Sequence, residues 1–234
     1  MAEGQIVVTG GSKGIGLAIA RDLVSRGRDV VCLSRSGTGE FGRHVACDMT
    51  DEAAVREVMA GIAAEGPVAA LVNNAGVHIT APAGSFSVED FERTMALNAT
   101  AVMVAAREVF PHLQERGGTV VNIGSLFDKI GAPGNLAYCA SKAAVAAMTR
   151  VMAVEWARYG ISVLNVAPGY IETDLNRDYL AREKVQAWMK TRIPAGGPGC
   201  PDDVARLVGS LISEATPFLT GETIYIDGGQ GMNH

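Results

Sequence analysis

The residues best suited to chemistry are a tyrosine and a lysine at positions i and i+4, Tyr138 and Lys142. An apolar run that opens at Lys142 predicts a helix, and residues i and i+4 of a helix lie on the same face. The Lys142 ammonium is therefore expected near the Tyr138 phenol, where a cation lowers the tyrosine pKa. Such a tyrosine can transfer a proton near neutral pH. Two unrelated surface residues are the simpler interpretation of this motif alone.

A glycine-rich turn near the N-terminus stands between a predicted strand and a predicted helix. Residues 6–8 are a β-branched run typical of a buried strand, residues 9–16 read TGGSKGIG, and residues 17–24 have apolar side chains at helical spacing. The pyrophosphate of a dinucleotide can approach such a turn and bind at the helix N-terminus. The GxxxGxG spacing that starts at Gly10 is not the commonest fingerprint, but its context predicts a cofactor site.

The end of the second predicted strand, residues 29–34, indicates which cofactor binds. An NAD enzyme usually carries an acidic residue there for the ribose 2′-hydroxyl, and this chain has Arg35 instead. Arg35 together with Lys13 of the glycine turn suits a 2′-phosphate, although two solvated surface cations are the alternative interpretation. We therefore predict NADP(H) in preference to NAD(H).

Several further residues follow predicted strands, at the carboxyl ends where ligands of open α/β sheets bind. Asp48 follows the third strand and could meet the adenine amino group. The small residues at 73–76 follow the fourth strand, Ser125 follows the fifth, and Pro168 and Gly169 follow the sixth. Because these ends meet at one edge of the sheet, the separate motifs predict a single site.

The remaining pattern indicates one α/β domain over residues 1–234, with a mobile substrate flap around 170–200. Residues 37–43 leave little room for a crossover helix before the strand at 45–47. The helices predicted along the chain are 51–64, 89–116 with Asn98 inside it, 142–156 and 202–213, and the last strand is 223–226. Two of these helices, 89–116 and 142–156, are apolar nearly all round, which suggests a subunit interface.

Composition excludes several function classes. Among 234 residues, 48% are hydrophobic, which is enough for a sizeable core, and the net charge of −5 without a basic block argues against nucleic acid as a partner. No apolar run is long enough to span a membrane, and the N-terminal residues lack the basic region of a signal peptide. Four cysteines without a CxxC pair predict reduced thiols in a cytoplasmic protein, and four histidines without metal-ligand spacing predict no metal site.

Taken together, these motifs resemble the short-chain dehydrogenase/reductase family over essentially the whole chain. The matching segments are TGGSKGIG at 9–16, Asp48, NNAG at 73–76, Asn98, Ser125, YCASK at 138–142 and PG at 168–169. The stretches at 167–174 and 219–229 are similar to those of bacterial 3-oxoacyl-[acyl-carrier-protein] reductases and their close relatives. The resemblance implies a Rossmann-type, doubly wound parallel sheet of about seven strands in a three-layer α/β/α arrangement. It also implies a homotetramer, or a homodimer, with the two apolar helices at the interface.

The resemblance assigns roles to individual residues. Tyr138 is the general acid in reduction and the base in oxidation, and Lys142 lowers its pKa and binds the nicotinamide ribose. Ser125 donates a hydrogen bond to the substrate oxygen, and Asn98 holds a water that links Lys142 to solvent. Thr173 contacts the nicotinamide carboxamide. The implied cofactor-binding residues are Gly10, Ser12, Lys13, Gly14, Ile15, Gly16, Arg35, Asp48, Met49, Asn74, Ala75, Gly76, Tyr138, Lys142, Pro168, Gly169, Ile171 and Thr173.

The substrate is expected to be a small ketone or secondary alcohol, with a 3-oxoacyl thioester as the first hypothesis. The rival is an oxidative dehydrogenase of a cyclic, steroid, terpene, diol or sugar alcohol. The apolar residues Leu126, Phe127 and Ile130 favour an acyl or alicyclic substrate over a sugar. The segment 36–44 is shorter than in relatives, and no basic surface cluster for an acidic carrier protein is evident. A non-catalytic NAD(P)-sensing protein is a third hypothesis, against which the intact Ser/Tyr/Lys set argues.

Overall fold

A seven-stranded parallel sheet forms the centre of the computed structural model, which describes residues 4–174, 176–214 and 216–233. The strands are β1 (Gln5–Thr9), β2 (Val30–Ser34), β3 (Arg43–Ala46), β4 (Val68–Asn73), β5 (Gly118–Ile123), β6 (Ile161–Pro168) and β7 (Thr223–Ile226). Their order in the sheet is β3-β2-β1-β4-β5-β6-β7, and each neighbouring pair runs parallel. The strand order reverses between β1 and β4, which is where open sheets of this kind bind ligands.

Helices cover both faces of this sheet. They are α1 (Gly14–Ser25), α2 (Glu52–Glu65), α3 (Val88–Met95), α4 (Ala101–Leu113), α5 (Leu136–Trp156), α6 (Arg177–Leu180), α7 (Glu183–Arg192) and α8 (Pro201–Ser213). One apolar cluster joins the sheet to α2, α4 and α5, and a second joins it to α1 and α8. Because both faces are covered, β1, β2 and β4 are buried along their whole length. The predicted α/β/α fold class is confirmed. Among the described residues, no helix combines the length and apolar character of a membrane span.

The helix that carries Tyr138 and Lys142 begins earlier than predicted. Instead of starting at Lys142, α5 runs from Leu136 to Trp156. The prediction took the start of the long apolar run as the start of the helix and so missed its first six residues, 136–141. Since both residues lie within α5, the i and i+4 geometry that the motif requires is present.

The predicted helix 89–116 is two helices joined by a π turn. It divides into α3, a π turn at Ala96–Thr100, and α4, which ends at Leu113. A π turn adds a residue to the helical repeat and rotates the side chains that follow it; such turns are frequent at functional sites. Asn98 lies in this turn and is fully buried. No hydrophobic pattern distinguishes a π turn from an α-helix, so the sequence could not show it.

The connection between β2 and β3 contains no helix, as the short segment predicted. Residues 35–42 form turns and bends instead, and β3 begins at Arg43 rather than at residue 45. The chain passes so close to β2 that a Cβ added to Gly42 would lie 2.5 Å from the carbonyl oxygen of Val30, and the φ of Gly42 is +78°. Phe41 packs against the apolar cluster of α1 and α8. One aromatic side chain therefore covers part of the sheet that a crossover helix would otherwise cover.

A chain of buried polar side chains ties α5 to the middle of the sheet. Asn73 Nδ2 of β4 donates to Asn122 Oδ1 of β5 at 2.9 Å, and Asn122 Nδ2 donates to Thr149 Oγ1 of α5 at 2.9 Å. Thr149 Oγ1 then donates to the carbonyl oxygen of Val145 at 2.9 Å. Asn122 and Thr149 are both 0% exposed, so each group depends on the next for its hydrogen bond.

We expect Thr149→Val to lower the free energy of unfolding by about 1–3 kcal/mol, because the buried amide of Asn122 would lose the acceptor that Thr149 provides at nearly unchanged volume. Urea denaturation followed by circular dichroism measures the change. The matched control is Thr191→Val at an exposed site on α7, for which a change within about 0.5 kcal/mol is expected. Equal stability of the Thr149→Val protein and the wild type would show that the chain of amides is not required.

Candidate active site

Lys142 is anchored at the carboxyl end of β5, next to Ser125. Its Nζ donates to the carbonyl oxygen of Ile123, the last residue of β5, at 2.7 Å. The side chain is 6% exposed, and this burial lowers the pKa of Lys142 from 10.5 to about 8. At neutral pH the ammonium form therefore still predominates, by about ten to one. Helix α5 thus brings a buried cation to the strand end where Ser125 lies.

Tyr138 lies beside this cation, but its pKa is shifted in the direction opposite to the prediction. Burial raises the pKa of Tyr138, a hydrogen bond with Ser125 lowers it in part, and the nearby Cys139 raises it further. Lys142 Nζ lies 5.6 Å from the centroid of the Tyr138 ring. The Tyr138 pKa is therefore raised overall, against the predicted lowering, and burial of the phenolate is the main cause. That Lys142 itself stabilises the phenolate stays a prediction. The structure brings Ser125, Tyr138 and Lys142 together as predicted.

Asn98 joins the loop after β4 to helix α5. Its Oδ1 accepts from the backbone N–H of Val77 at 2.8 Å, and its Nδ2 donates to the Val77 carbonyl at 2.8 Å and to Ser141 Oγ at 3.2 Å. Ser141 Oγ in turn donates to the carbonyl oxygen of Tyr138 at 2.8 Å. The Asn98 side chain thus positions this loop against α5. The predicted water relay stays a prediction.

The glycine-rich turn is held rigidly against the end of β4. Thr9 Oγ1 accepts from the backbone N–H groups of Asn74 and Ala75, both at 3.0 Å. Asn74 Nδ2 donates to the carbonyl oxygens of Thr9 and Gly10 at 3.0 and 3.2 Å. A Cβ added to Gly16 would lie 2.2 Å from the Gly10 carbonyl oxygen, so only glycine fits there. The predicted cofactor residue Asn74 therefore uses its side-chain amide to shape the turn.

The geometry of this turn fits the pyrophosphate of a dinucleotide. Lys13 is the N-cap residue of α1 without a side-chain cap, and the first turn of α1 has no acidic residue, so its N–H groups and dipole favour an anion. A Cβ added to Gly14 would meet only Thr173 Cγ2, at 3.9 Å. Thr173 therefore lies within van der Waals reach of a side chain at position 14, close to the glycine turn.

Arg35 and Asp48 lie close together, just beyond the carboxyl ends of β2 and β3. The Asp48 pKa is lowered chiefly by hydrogen bonds from the backbone and side chain of Thr50, and the charge of Arg35 lowers it further. Arg35 is exposed beside the hydroxyls of Ser34 and Ser36, which lie 3.2 Å apart. A cation flanked by hydroxyl groups fits a 2′-phosphate.

Other predicted cofactor residues have backbone or core roles in the structure. The side chains of Met49 and Ile171 are 6% and 7% exposed and pack in the core, so any contact with a cofactor would come from their main chains. Pro168 ends β6, and the N–H of Gly169 donates to the carbonyl of Ile226 at 3.0 Å. The remaining members, Ser12, Ile15 and Gly76, lie on the glycine turn and on the loop after β4.

A chain of aromatic rings borders Tyr138, and most of it was not predicted. The Phe127 ring lies edge-on to Tyr138 at 6.1 Å between centroids and edge-on to Tyr170 at 6.1 Å. Trp188 of α7 lies 5.3 Å from Tyr170. The ring of His78 also lies next to Tyr138, at 4.5 Å between centroids and an interplanar angle of 45°. Phe127 was named as a pocket residue, whereas no local pattern marks His78.

Two predictions about the substrate side need correction or refinement. Leu126, predicted to shape the pocket, is 0% exposed and belongs to the core. Its side chain points inward because Leu126 opens a 3-10 turn capped by Ser125, whose Oγ accepts from the N–H of Phe127 at 3.2 Å. The predicted flap 170–200 contains α6 and α7 and a small cluster of its own formed by Leu180, Met189 and Ile193. Leu175 of that segment lies outside the described residues.

Comparisons with known proteins agree with this geometry. Residues 10–231 match a family model described as "Enoyl-(Acyl carrier protein) reductase". The 3-oxoacyl-[acyl-carrier-protein] reductase MabA of Mycobacterium tuberculosis is 38% identical, over 98% of this chain and 93% of that protein. Gluconate 5-dehydrogenase of Gluconobacter oxydans is 33% identical, over 98% of this chain and 95% of that protein.

A solved structure shows the same likeness in three dimensions. The gluconate 5-dehydrogenase of Burkholderia cenocepacia, in complex with NADP and tartrate, superimposes with a TM-score of 0.94 at 33% identity. The match covers 100% of this chain and 97% of that chain. All three of these relatives are named as oxidoreductases, either reductases or dehydrogenases. This chain therefore belongs to the short-chain dehydrogenase/reductase family.

Proposed function

We propose that this protein is an NADP(H)-dependent oxidoreductase that interconverts a ketone and a secondary alcohol on a small molecule. The observation that carries the proposal is the meeting of Ser125, Tyr138 and Lys142 at one strand end, across from a glycine turn that fits a dinucleotide pyrophosphate. Each group serves the same reaction, because one donates a proton, one binds the oxygen and one supplies positive charge.

The chemistry follows from the placement of these groups. When bound, the nicotinamide supplies a hydride to the carbonyl carbon or accepts one from the alcohol carbon. In reduction, the Tyr138 hydroxyl gives its proton to the oxygen as negative charge develops there, so that hydride and proton together make the alcohol. Ser125 holds the same oxygen by a hydrogen bond. The raised pKa keeps Tyr138 protonated at neutral pH, which suits the reducing direction, while the Lys142 cation stabilises the phenolate left behind.

The preference for NADP(H) rests on Arg35 and on the absence of an acid at the end of β2. The Arg35 guanidinium and the Ser36 hydroxyl both lie exposed there, and Lys13 is exposed on the glycine turn. The solved gluconate 5-dehydrogenase that this chain resembles was obtained with NADP. A carboxylate at this position would repel a 2′-phosphate, whereas Arg35 attracts it.

Two substrate classes are candidates. A 3-oxoacyl thioester is supported by the 38% identity to MabA reductases. A small hydroxylated ketone or alcohol is supported by the likeness to gluconate 5-dehydrogenases and by His78, a polar group next to Tyr138. Segment 170–200 is proposed as the flap over either substrate, because Tyr170 and Trp188 extend the aromatic wall that starts at Phe127.

Assembly into a homotetramer or homodimer is part of the proposal. Val151 and Val154 of α5 are 57% and 83% exposed, and Met103 of α4 is 39% exposed. Apolar side chains on two neighbouring helices are suited to contact between subunits. A cytoplasmic location and a single domain over the whole chain also stay predictions.

The Tyr138→Phe variant tests the mechanism. We expect turnover to fall by about 10³-fold or more because the proton donor is lost, while NADPH binding changes little. The measurement is NADPH oxidation with a panel of 3-oxoacyl thioesters, cyclic ketones and hydroxyketones, with cofactor affinity measured separately by fluorescence. Tyr159→Phe, in the turn that precedes β6 at the opposite edge of the sheet, is the matched control and should retain wild-type turnover.

Retained turnover in Tyr138→Phe would contradict the mechanism. Tight NADPH binding by the wild-type protein without turnover across the whole panel, run in both directions with both cofactors, would instead support a cofactor-sensing protein.

The Arg35→Ala variant tests the cofactor. Loss of one charge-assisted contact to a 2′-phosphate should raise the NADPH dissociation constant about 10- to 100-fold and leave NADH affinity nearly unchanged. Arg158→Ala, at the opposite edge of the sheet, is the control for loss of a cation. Equal affinity of the wild-type protein for NADH and NADPH, or equal losses for both in Arg35→Ala, would rule out the proposed preference.

The Lys142→Met variant tests whether burial of the Lys142 ammonium lowers the free energy of unfolding. The folded-state pKa of Lys142, about 8, lies below the value of 10.5 expected when exposed, so the folded state resists protonation. The loss of unfolding free energy caused by burying the Lys142 ammonium is fully present below about pH 8 and disappears as the pH rises past 10.5. Relative to Lys142→Met, the wild-type protein should therefore gain roughly 3 kcal/mol of unfolding free energy between about pH 7 and pH 11. Denaturation of both proteins across this range measures the difference, and a constant difference would refute it.

A further inference from the structure

His78 occupies a fixed position beside the reacting centre. Its ring lies 4.5 Å from the ring of Tyr138, on the loop that follows β4. This loop is held at both ends, because Asn98 binds both backbone groups of Val77, and the N–H of Ala81 donates to the carbonyl of Gly134 at 3.1 Å. A substrate whose oxygen reaches the Tyr138 hydroxyl therefore places its neighbouring carbons near His78.

The hydrogen bonds around His78 determine which ring nitrogen carries the proton. Asn135 Nδ2 donates to the carbonyl oxygen of Pro133 at 2.9 Å, and this oxygen can only accept. The amide is thereby oriented with Asn135 Oδ1 toward Nε2 of His78. Because Oδ1 is an acceptor, Nε2 must be the donor. In the neutral imidazole, Nδ1 is then an acceptor directed away from Asn135, and no group among the described residues donates to it.

An acceptor at this place discriminates between the two candidate substrate classes. His78 is exposed, so its Nδ1 can receive a hydrogen bond from a bound molecule. A 3-oxoacyl thioester carries a methylene group and then a thioester carbonyl beside its ketone, and neither can donate a conventional hydrogen bond. A hydroxyl on the carbon beside the ketone can donate one. Phe127, the other ring next to Tyr138, is apolar and offers no hydrogen-bond acceptor.

We propose that His78 is a specificity-determining residue whose Nδ1 accepts a hydrogen bond from a hydroxyl group adjacent to the reacting carbon. The substrate class is then an α-hydroxyketone in reduction and the corresponding vicinal diol in oxidation. This inference rests on the proposed ketone–alcohol interconversion and goes beyond it by naming the group next to the reacting carbon.

The test uses a pair of ketones that differ by one hydroxyl, 2-hydroxycyclohexanone and cyclohexanone, each reduced with NADPH. We expect the wild-type kcat/KM to favour the hydroxyketone by about tenfold, the value of one good hydrogen bond. His78→Phe retains a ring against Tyr138 but has no acceptor, so this preference should disappear while kcat/KM for cyclohexanone stays within about twofold. His78→Asn can place an amide oxygen near the position of Nδ1 and should recover part of the preference.

Thermal unfolding and NADPH affinity of each His78 variant control for folding, and both should match the wild type. Equal losses on both ketones in His78→Phe would overturn the inference, since His78 would then only support Tyr138. A wild-type enzyme that reduces both ketones equally well would also overturn it while leaving the proposed function intact. Turnover of 3-oxoacyl thioesters alone would overturn the inference and support the other substrate class. Absence of turnover on the whole panel would overturn the proposed function and, with it, this inference.

Discussion

The hydrogen bond from Lys142 Nζ to the carbonyl oxygen of Ile123 is the interaction on which the site depends. It joins the catalytic helix to the end of a central strand, and it places a cation where water is largely excluded. The buried amides of Asn73 and Asn122 reach the same helix two turns further on, through Thr149. Helix α5 is therefore attached to β5 at two points along its length, at Lys142 and at Thr149. These two attachments restrict both rotation of the helix and sliding along its axis. Tyr138 gains its orientation from this attachment.

Burial also decides the electrostatics of the site. A low-dielectric environment strengthens the attraction between Lys142 and a phenolate, but it penalises each charge on its own. In the structure the penalty dominates for both residues, since the Tyr138 pKa is raised and the Lys142 pKa is lowered. The pair is thus arranged so that the neutral phenol and the ammonium coexist at neutral pH. Charge separation is deferred until proton transfer, when the cation can stabilise it.

The sequence was sufficient for those parts of the molecule that depend on local patterns. The strand–turn–helix at Gly10, the strand end at Ser125 and the Tyr138 to Lys142 spacing are set by residues close together in the chain, and the parallel order then brings them to one edge. The direction of the Tyr138 pKa shift was missed because burial is a property of the whole fold. His78 was missed because its importance arises from Asn135 and Pro133, which are distant along the chain. Leu126 was misassigned because a single capped turn directs it into the core.

The helix-free connection between β2 and β3 has a consequence for how this chain can change. Residues 35–42 contain Arg35, the residue proposed to bind the 2′-phosphate, and Phe41, which packs against the apolar cluster of α1 and α8. Gly37 and Gly42, with φ angles of +64° and +78°, set the path between them. In a longer connection with a crossover helix, one segment would cover the sheet and another would bind the cofactor, so each could change in sequence independently. Here one short loop contributes to both the proposed cofactor binding and the packing of the sheet edge. We therefore expect a mutation in it to change cofactor affinity and stability together.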